Sequence, residues 1–245
     1  MPRVGSRRIV RSVASTRMMT DHTHRHSRLR SRTGTLRLRT PIVTVVTLAL
    51  LALAALPVRE TLYLTVVRAG GSSFLAPLVG LMADKGLLLL VATTAGVTVL
   101  TWVRDRAAFW TLVVAGVGTV AAYLVSEGIK LVVSEQRPCR VLEIDTVLAC
   151  PPPGDWSWPS NHSVLAAAFA TACVVALPRI RALVLPLAMV IAGSRVAAGV
   201  HYVHDVLSGL ALGVLIVVLT VAVLRPVVDQ GRGGPRRDPE ANGGE

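Results

Sequence analysis

Aromatic side chains are scarce: three Phe, three Tyr and four Trp make up 4% of the 245 residues. Without interleaved rings there is no stacking platform for nucleotide bases, so the net charge of +12 does not mark a nucleic-acid binder. Charge itself is thin. Only 16% of residues are charged, against about 25% in ordinary soluble domains. With 52% hydrophobic residues and a mean hydropathy of +0.59, a soluble domain is excluded. Lysine occurs twice against 24 Arg, a bias that, with abundant Ala, Val and Gly, suggests a GC-rich bacterial gene. Acids are lacking at the start, where residues 1–40 hold eleven Arg and one acid, Asp21.

What is there is a series of apolar runs. Six spans are expected, over Ile42–Val58, Leu87–Val103, Ala108–Val133, Ser163–Leu177, Ala182–Val200 and Val206–Leu224, several near the lower limit of about 17 residues. The fold expected is all-α, a six-helix membrane bundle. The short stretch Ser72–Met82 reads as an interfacial or re-entrant piece. Loop charge sets orientation. An inside N-terminus places 19 of 24 Arg in the cytoplasm, including Arg104, Arg106, Arg179, Arg181 and Arg225, whereas the inverse leaves 5 there. The expected organisation is a disordered basic cytoplasmic tail over 1–40, a membrane domain over 41–225 and a second disordered tail over 226–245. Both termini are expected to be cytoplasmic, in a multi-pass plasma-membrane protein. The tail's composition also suits a transit peptide, Met18 and Met19 are alternative starts, and "HTHRH" at 22–26 reads as a polar stretch that happens to be His-rich.

Ionisable groups at membrane depth are expensive, and "GSRVAAGVHYVHDVLSGLALG" over 193–213 carries several. In the expected topology they share the extracytoplasmic side with two other helix junctions. Lys130 ends the third span and Arg137-Pro138 follows; Ser160, Asn161 and His162 open the fourth; Ser194 and Arg195 close the fifth; His201 and Asp205 lead into the sixth. Lys130 and Arg137 are seven apart, two turns if the helix continues, as are Ser194 and His201. His201 and Asp205 are four apart, a spacing that lets a carboxylate hold an imidazole N–H on a helix. Ser160 or Asn161 suits an N-cap, leaving backbone N–H groups aimed at an anion. Three cations, a hydroxyl and a helix N-terminus describe a phosphate site, and two histidines describe acid–base and nucleophilic chemistry.

The set Lys130-x6-Arg137-Pro138, Pro159-Ser160-Asn161-His162 and Ser194-Arg195-x5-His201-x3-Asp205 resembles the three-part signature of the type 2 phosphatidic acid phosphatase superfamily. That superfamily includes lipid phosphate phosphatases and bacterial undecaprenyl-diphosphate phosphatases. The resemblance implies that His201 attacks phosphorus to give a phosphohistidine and that Asp205 holds its ring. It makes His162 the acid for the leaving oxygen and then the base for water. Lys130, Arg137, Ser160, Arg195 and the Asn161 backbone would bind the phosphoryl oxygens, with no metal or other cofactor. Asn161 departs from the family's usual Gly; Asn tolerates a left-handed conformation, so an adjusted site is expected. The implied partners are a lipid phosphate or polyprenyl diphosphate and membrane lipids.

Alone, each position has a plainer reading. Lys130 and Arg137 suit cations snorkelling from a helix end, His162 a satisfied polar residue, and Glu127 a structural partner for Lys130. His204 lies off the motif. A zinc hydrolase built from His162, His201, His204 and Asp205 is opposed by the neighbouring cations, and a transporter by the lack of mid-membrane polar groups. A catalytically altered phosphatase-like binder stays open through Asn161. Cys173 reads as a small buried hydrophobe, while Cys139 and Cys150 share the 134–160 loop and, if it is outside, are expected to pair. Nothing in the sequence chooses among undecaprenyl diphosphate, phosphatidate, phosphatidylglycerol phosphate and other polyprenyl phosphates.

Overall fold

The computed structural model describes residues 39–71 and 74–230. The N-terminal tail with its His-rich stretch and alternative starts, and the chain from 231 onward, lie outside these residues. Among the described residues every regular element is helical. Seven helices follow in chain order. We label them α1 (Arg39–Gly70), α2 (Ala76–Arg104), α3 (Arg106–Val133), α4 (Pro138–Val141), α5 (Asn161–Ala176), α6 (Arg181–Ala197) and α7 (Val203–Gln230).

Two boundaries differ from the sequence reading. The first span was expected to end at Val58, where Pro57 supplies no N–H; the chain makes only a 3-10 turn, Leu56–Val58, and resumes as helix at Arg59. The added turns bury Tyr63, Val67 and Gly70. The re-entrant piece expected over Ser72–Met82 is corrected as well, because residues 76–82 are the first two turns of the 29-residue α2. Pro77 sits in the opening turn, where a missing N–H is harmless. Asp84 and Lys85, charged residues within this helix, are exposed and pair with each other at 3.1 Å.

Five helical segments are long and apolar enough to cross a membrane: Arg39–Gly70, Ala76–Arg104, Arg106–Val141, Pro178–Ala197 and Val203–Pro226. The fourth expected span, Ser163–Leu177, is α5. Its 16 residues give about 24 Å of helix, short of a hydrocarbon core of about 30 Å. Enclosure takes the place of length here. α5 packs against α2, α3, α6 and α7, burying Ala166, Ala168 and Ala172 among others. A Cβ on Gly213 of α7 would overlap the Val164 carbonyl oxygen, so only glycine permits this approach. That close contact seats the start of α5, with its Ser-Asn-His, beside the start of α7.

Candidate active site

The turn between α6 and α7 presents the central histidine. Gly199 reverses the chain at φ +86° against the side chain of Thr146, and its carbonyl accepts from Tyr63 Oη at 2.9 Å. Two residues on, His201 is 2% exposed. Its Nδ1 lies 3.3 Å from Asp205 Oδ2, and its Nε2 lies 3.0 Å from Arg137 Nη1. A guanidinium only donates, so Nε2 is the accepting nitrogen and Nδ1 carries the proton toward the carboxylate. Burial, then the charges of Arg137, Arg195, Lys130 and His162, hold the imidazole well below its usual 6.5. A neutral ring results, its lone pair on Nε2 facing the Arg137 guanidinium. Helical spacing was expected to bring His201 to Asp205, but α7 begins only at Val203, and the contact is made across the turn.

Asp205 is fully buried and satisfied on one side. Its Oδ2 accepts from Ser157 Oγ at 2.6 Å and from Tyr202 N at 2.8 Å, while its carbonyl accepts from Ser160 N at 3.1 Å. The last bond ties α5 to α7. Ser160 occupies the N-cap position but makes no capping bond with its side chain; its Oγ accepts from Ser163 Oγ at 3.1 Å. Asn161 is not left-handed. It is the first residue of α5, with Oδ1 accepting from Ser126 Oγ at 2.6 Å and Nδ2 donating to Glu127 Oε1.

The cations gather by a route the sequence did not suggest. α3 ends at Val133, with Ser134 left-handed at φ 50°, so Lys130 and Arg137 do not share a helix face. Asp155 joins them instead. Its Oδ1 lies 2.8 Å from Arg137 Nη2 and 3.5 Å from Lys130 Nζ, and its carbonyl accepts from Arg137 Nε at 2.8 Å. Burial alone pushes the Asp155 carboxyl up, but Arg137 and Lys130 outweigh it and hold it below the usual carboxylate range. Glu127 lies 3.7 Å from Lys130, as a structural partner would. Arg195 is buried; its Nη1 donates to Ala83 O at 2.7 Å, while its Nε has no hydrogen-bond partner. Ser194 is turned away, donating to Ile191 O at 2.7 Å.

Asp155, Ser157 and Glu135 were missed by sequence reasoning. They lie in the 134–160 loop, where no periodicity marks them. Asp155 holds both cations as an oxyanion would, which makes it a competitor for one. Asp155→Asn keeps the volume and removes the charge. Inorganic phosphate is expected to bind about 3- to 10-fold more tightly to that variant by calorimetry, one charge interaction being on the order of 1 kcal/mol. Unchanged or weaker binding would show that Asp155 does not occupy the anion's place.

The loop is closed covalently. Cys139 and Cys150 are joined in a disulfide with Cα atoms 5.9 Å apart, and Arg140 Nη2 donates to Pro151 O beside it. Cys173 is free and buried, with Sγ 3.3 Å from Thr94 Oγ1. Among the described residues one cluster has metal-ligand spacing: Glu135, His204 and Asp205 bring donor atoms within 4.8 Å. His162, which a zinc site was expected to need, is not part of it.

The geometry agrees with comparisons to known proteins. The family profile described as "PAP2 superfamily" matches residues 111–228, a stretch that holds every position from Lys130 to Asp205. Two curated relatives, from the CDC 1551 / Oshkosh and ATCC 25618 / H37Rv strains of Mycobacterium tuberculosis, are each named decaprenylphosphoryl-5-phosphoribose phosphatase. Each is 36% identical over 129 residues, or 51% of this chain, and the match spans 63% of the relative's length. The crystal structure of a transmembrane PAP2-type phosphatidylglycerolphosphate phosphatase from Bacillus subtilis superposes with a TM-score of 0.54. At 22% identity it covers 80% of this chain and 98% of its own, which shows a shared fold. Residues 111–228, just under half of the chain, carry the match to the PAP2 superfamily profile, and the helical fold around them is shared with the Bacillus subtilis structure.

Proposed function

We propose that this protein is a membrane-integral phosphatase that hydrolyses a lipid phosphate at the extracytoplasmic face through a phosphohistidine. One observation carries the reading. His201 has its proton-bearing nitrogen against a buried carboxylate and its lone-pair nitrogen against a guanidinium, 3.3 and 3.0 Å away. A phosphoryl group held by Arg137, Lys130 and Arg195 meets that lone pair. Nε2 forms the P–N bond as the P–O bond to the lipid breaks, and His162 gives its proton to the leaving oxygen. His162 then takes a proton from water, whose oxygen attacks phosphorus, and the P–N bond breaks to release inorganic phosphate. Fixed cations suit the charge on the equatorial oxygens and require no rearrangement as it develops.

An apolar groove of about 350 Å³ supports a lipid substrate. It runs between α1, at Val45, Ala49 and Leu53, and α7, at Ala211 and Leu215, and reaches Trp158, Pro159 and His204 at the edge of the site. A hydrocarbon tail lying there would leave its phosphate beside the loop. The name of the mycobacterial relatives directs the first choice of substrate to polyprenyl-linked phosphates. The Arg-rich loops at 104–106 and 179–181 support a cytoplasmic placement for the opposite ends of the helices.

Purified protein assayed against polyprenyl phosphates and diphosphates, phosphatidate and phosphatidylglycerol phosphate should release phosphate from at least one. Vanadate, a mimic of five-coordinate phosphorus, should inhibit, and EDTA should not. In sealed spheroplasts, externally added short-chain substrate should be hydrolysed without permeabilisation. Loss of activity in EDTA with recovery in zinc would replace this reading with a metalloenzyme, and hydrolysis only after permeabilisation would invert the topology.

A further inference from the structure

The two oxygens of Asp205 have unequal surroundings. Oδ2 serves Ser157, the Tyr202 amide and His201. Oδ1 is buried with no hydrogen-bond partner, yet His204 Nε2 lies 3.1 Å from it. The same Nε2 is 3.3 Å from Glu135 Oε2, and the other Glu135 oxygen is 3.2 Å from Arg59 Nη1. Carboxylate oxygens accept, so Nε2 carries a proton directed at Glu135 Oε2, with Asp205 Oδ1 close beside it. The His204 ring is 3% exposed and lies stacked on Tyr202, with centroids 5.4 Å apart and planes 18° from parallel. Arg59 covers the same Tyr202 ring at 5.4 Å. The result is a chain of contacts, His201–Asp205–His204–Glu135–Arg59, running from the catalytic imidazole to the middle of α1.

We propose that His204, seated by Glu135, is a positioning residue for hydrolysis, its protonated Nε2 lying against Asp205 Oδ1 so that Oδ2 stays on His201 Nδ1. The inference rests on the phosphatase reading. A buried carboxylate oxygen without a donor is costly, and His204 is the donor within reach. Without it the carboxylate is held at Oδ2 alone, by Ser157 and the Tyr202 amide, and its grip on the His201 ring loosens. A divalent cation is the competing occupant, since the same three side chains have ligand spacing. The Arg59 guanidinium on Glu135 and the Arg137 guanidinium beyond His201 oppose added positive charge there.

The test compares wild type, His204→Leu, His204→Gln, Asp205→Asn and the variant combining His204→Leu with Asp205→Asn. kcat and KM are measured on a lipid phosphate that wild type hydrolyses, and bound metal is quantified. His204→Leu is expected to lower kcat about 10²-fold, the scale of a small misplacement, with KM within about 3-fold. His204→Gln keeps an N–H donor and should recover about 10-fold of that loss. In the Asp205→Asn background the leucine should cost less than about 3-fold, because its effect passes through the carboxylate. A full additional loss there, or a change in KM alone, overturns the proposal. So does stoichiometric zinc in wild type whose removal stops turnover. If wild type hydrolyses no lipid phosphate, the phosphatase reading fails by itself, and the downfield His201 Nδ1 proton resonance still decides the positioning. It shifts in His204→Leu if His204 holds Asp205, and an unmoved resonance overturns the inference.

Discussion

Replacing His201 with alanine should lower phosphate release by about 10⁴-fold or more, the scale seen when a covalent nucleophile is deleted. Arg137, whose guanidinium faces His201 Nε2, only donates, so it cannot supply the lost lone pair. The fold should survive, because Arg137 keeps the Asp155 and Val200 carbonyls as acceptors. Rapid acid quenching of wild type with ³²P-labelled substrate should trap an acid-labile phosphoprotein, and the alanine variant should show none. Labelling of the variant at the wild-type rate would end the assignment. The depressed His201 pKa adds a pH dependence. Phosphoenzyme formation should stay level as pH falls through 6.5 and decline only in more acid buffer, since the ring protonates late in the folded protein. The sign for stability is opposite to that of a paired histidine. Below 6.5 the unfolded chain binds a proton that the native ring refuses, so this group costs stability progressively as pH falls.

The histidines and cations of the candidate site were legible because ionisable residues stand out in an apolar chain. Lys130, Arg137, His162, Arg195, His201 and Asp205 each interrupt or border a run of Ala, Val and Leu. How they meet was not legible. The helix turns invoked for Lys130 with Arg137 and for His201 with Asp205 are broken by Ser134 and by the 198–202 turn, and tertiary contacts do the work instead. Asp155 and Ser157 lie in irregular backbone among prolines, where polar residues are ordinary, and only the folded loop reveals their partners. Helix lengths failed where hydropathy and local charge disagreed. Pro57 and Asp84-Lys85 look like interruptions in a linear reading, yet a 3-10 turn absorbs one and an exposed pair the other.

Arg137→Lys should cost activity heavily despite keeping the charge. The guanidinium is 4% exposed and works in three directions at once. Nε and Nη2 donate to the Asp155 carbonyl and carboxylate at 2.8 Å each, and Nη1 donates to Val200 O at 2.9 Å while facing His201 Nε2 at 3.0 Å. Arg137 thereby holds the 134–160 loop against the turn that presents His201. A lysine places one compact ammonium on a flexible stem and cannot span both sides. The buried Val200 carbonyl would then lose its donor, at about 1–3 kcal/mol, and the more exposed Asp155 carbonyl would lose one at smaller cost. The transition state would lose a planar donor aimed at the phosphoryl oxygens. We expect kcat/KM to fall about 10²- to 10³-fold, the range for removing one preorganised donor. Thermal unfolding should shift downward in the same variant. Arg137→Ala should be worse in both respects, and added guanidinium should restore part of its activity, because the cavity left behind matches the lost group. A lysine variant within 3-fold of wild type in kcat/KM would show that charge alone suffices, and the bidentate grip on Asp155 would then have no bearing on catalysis.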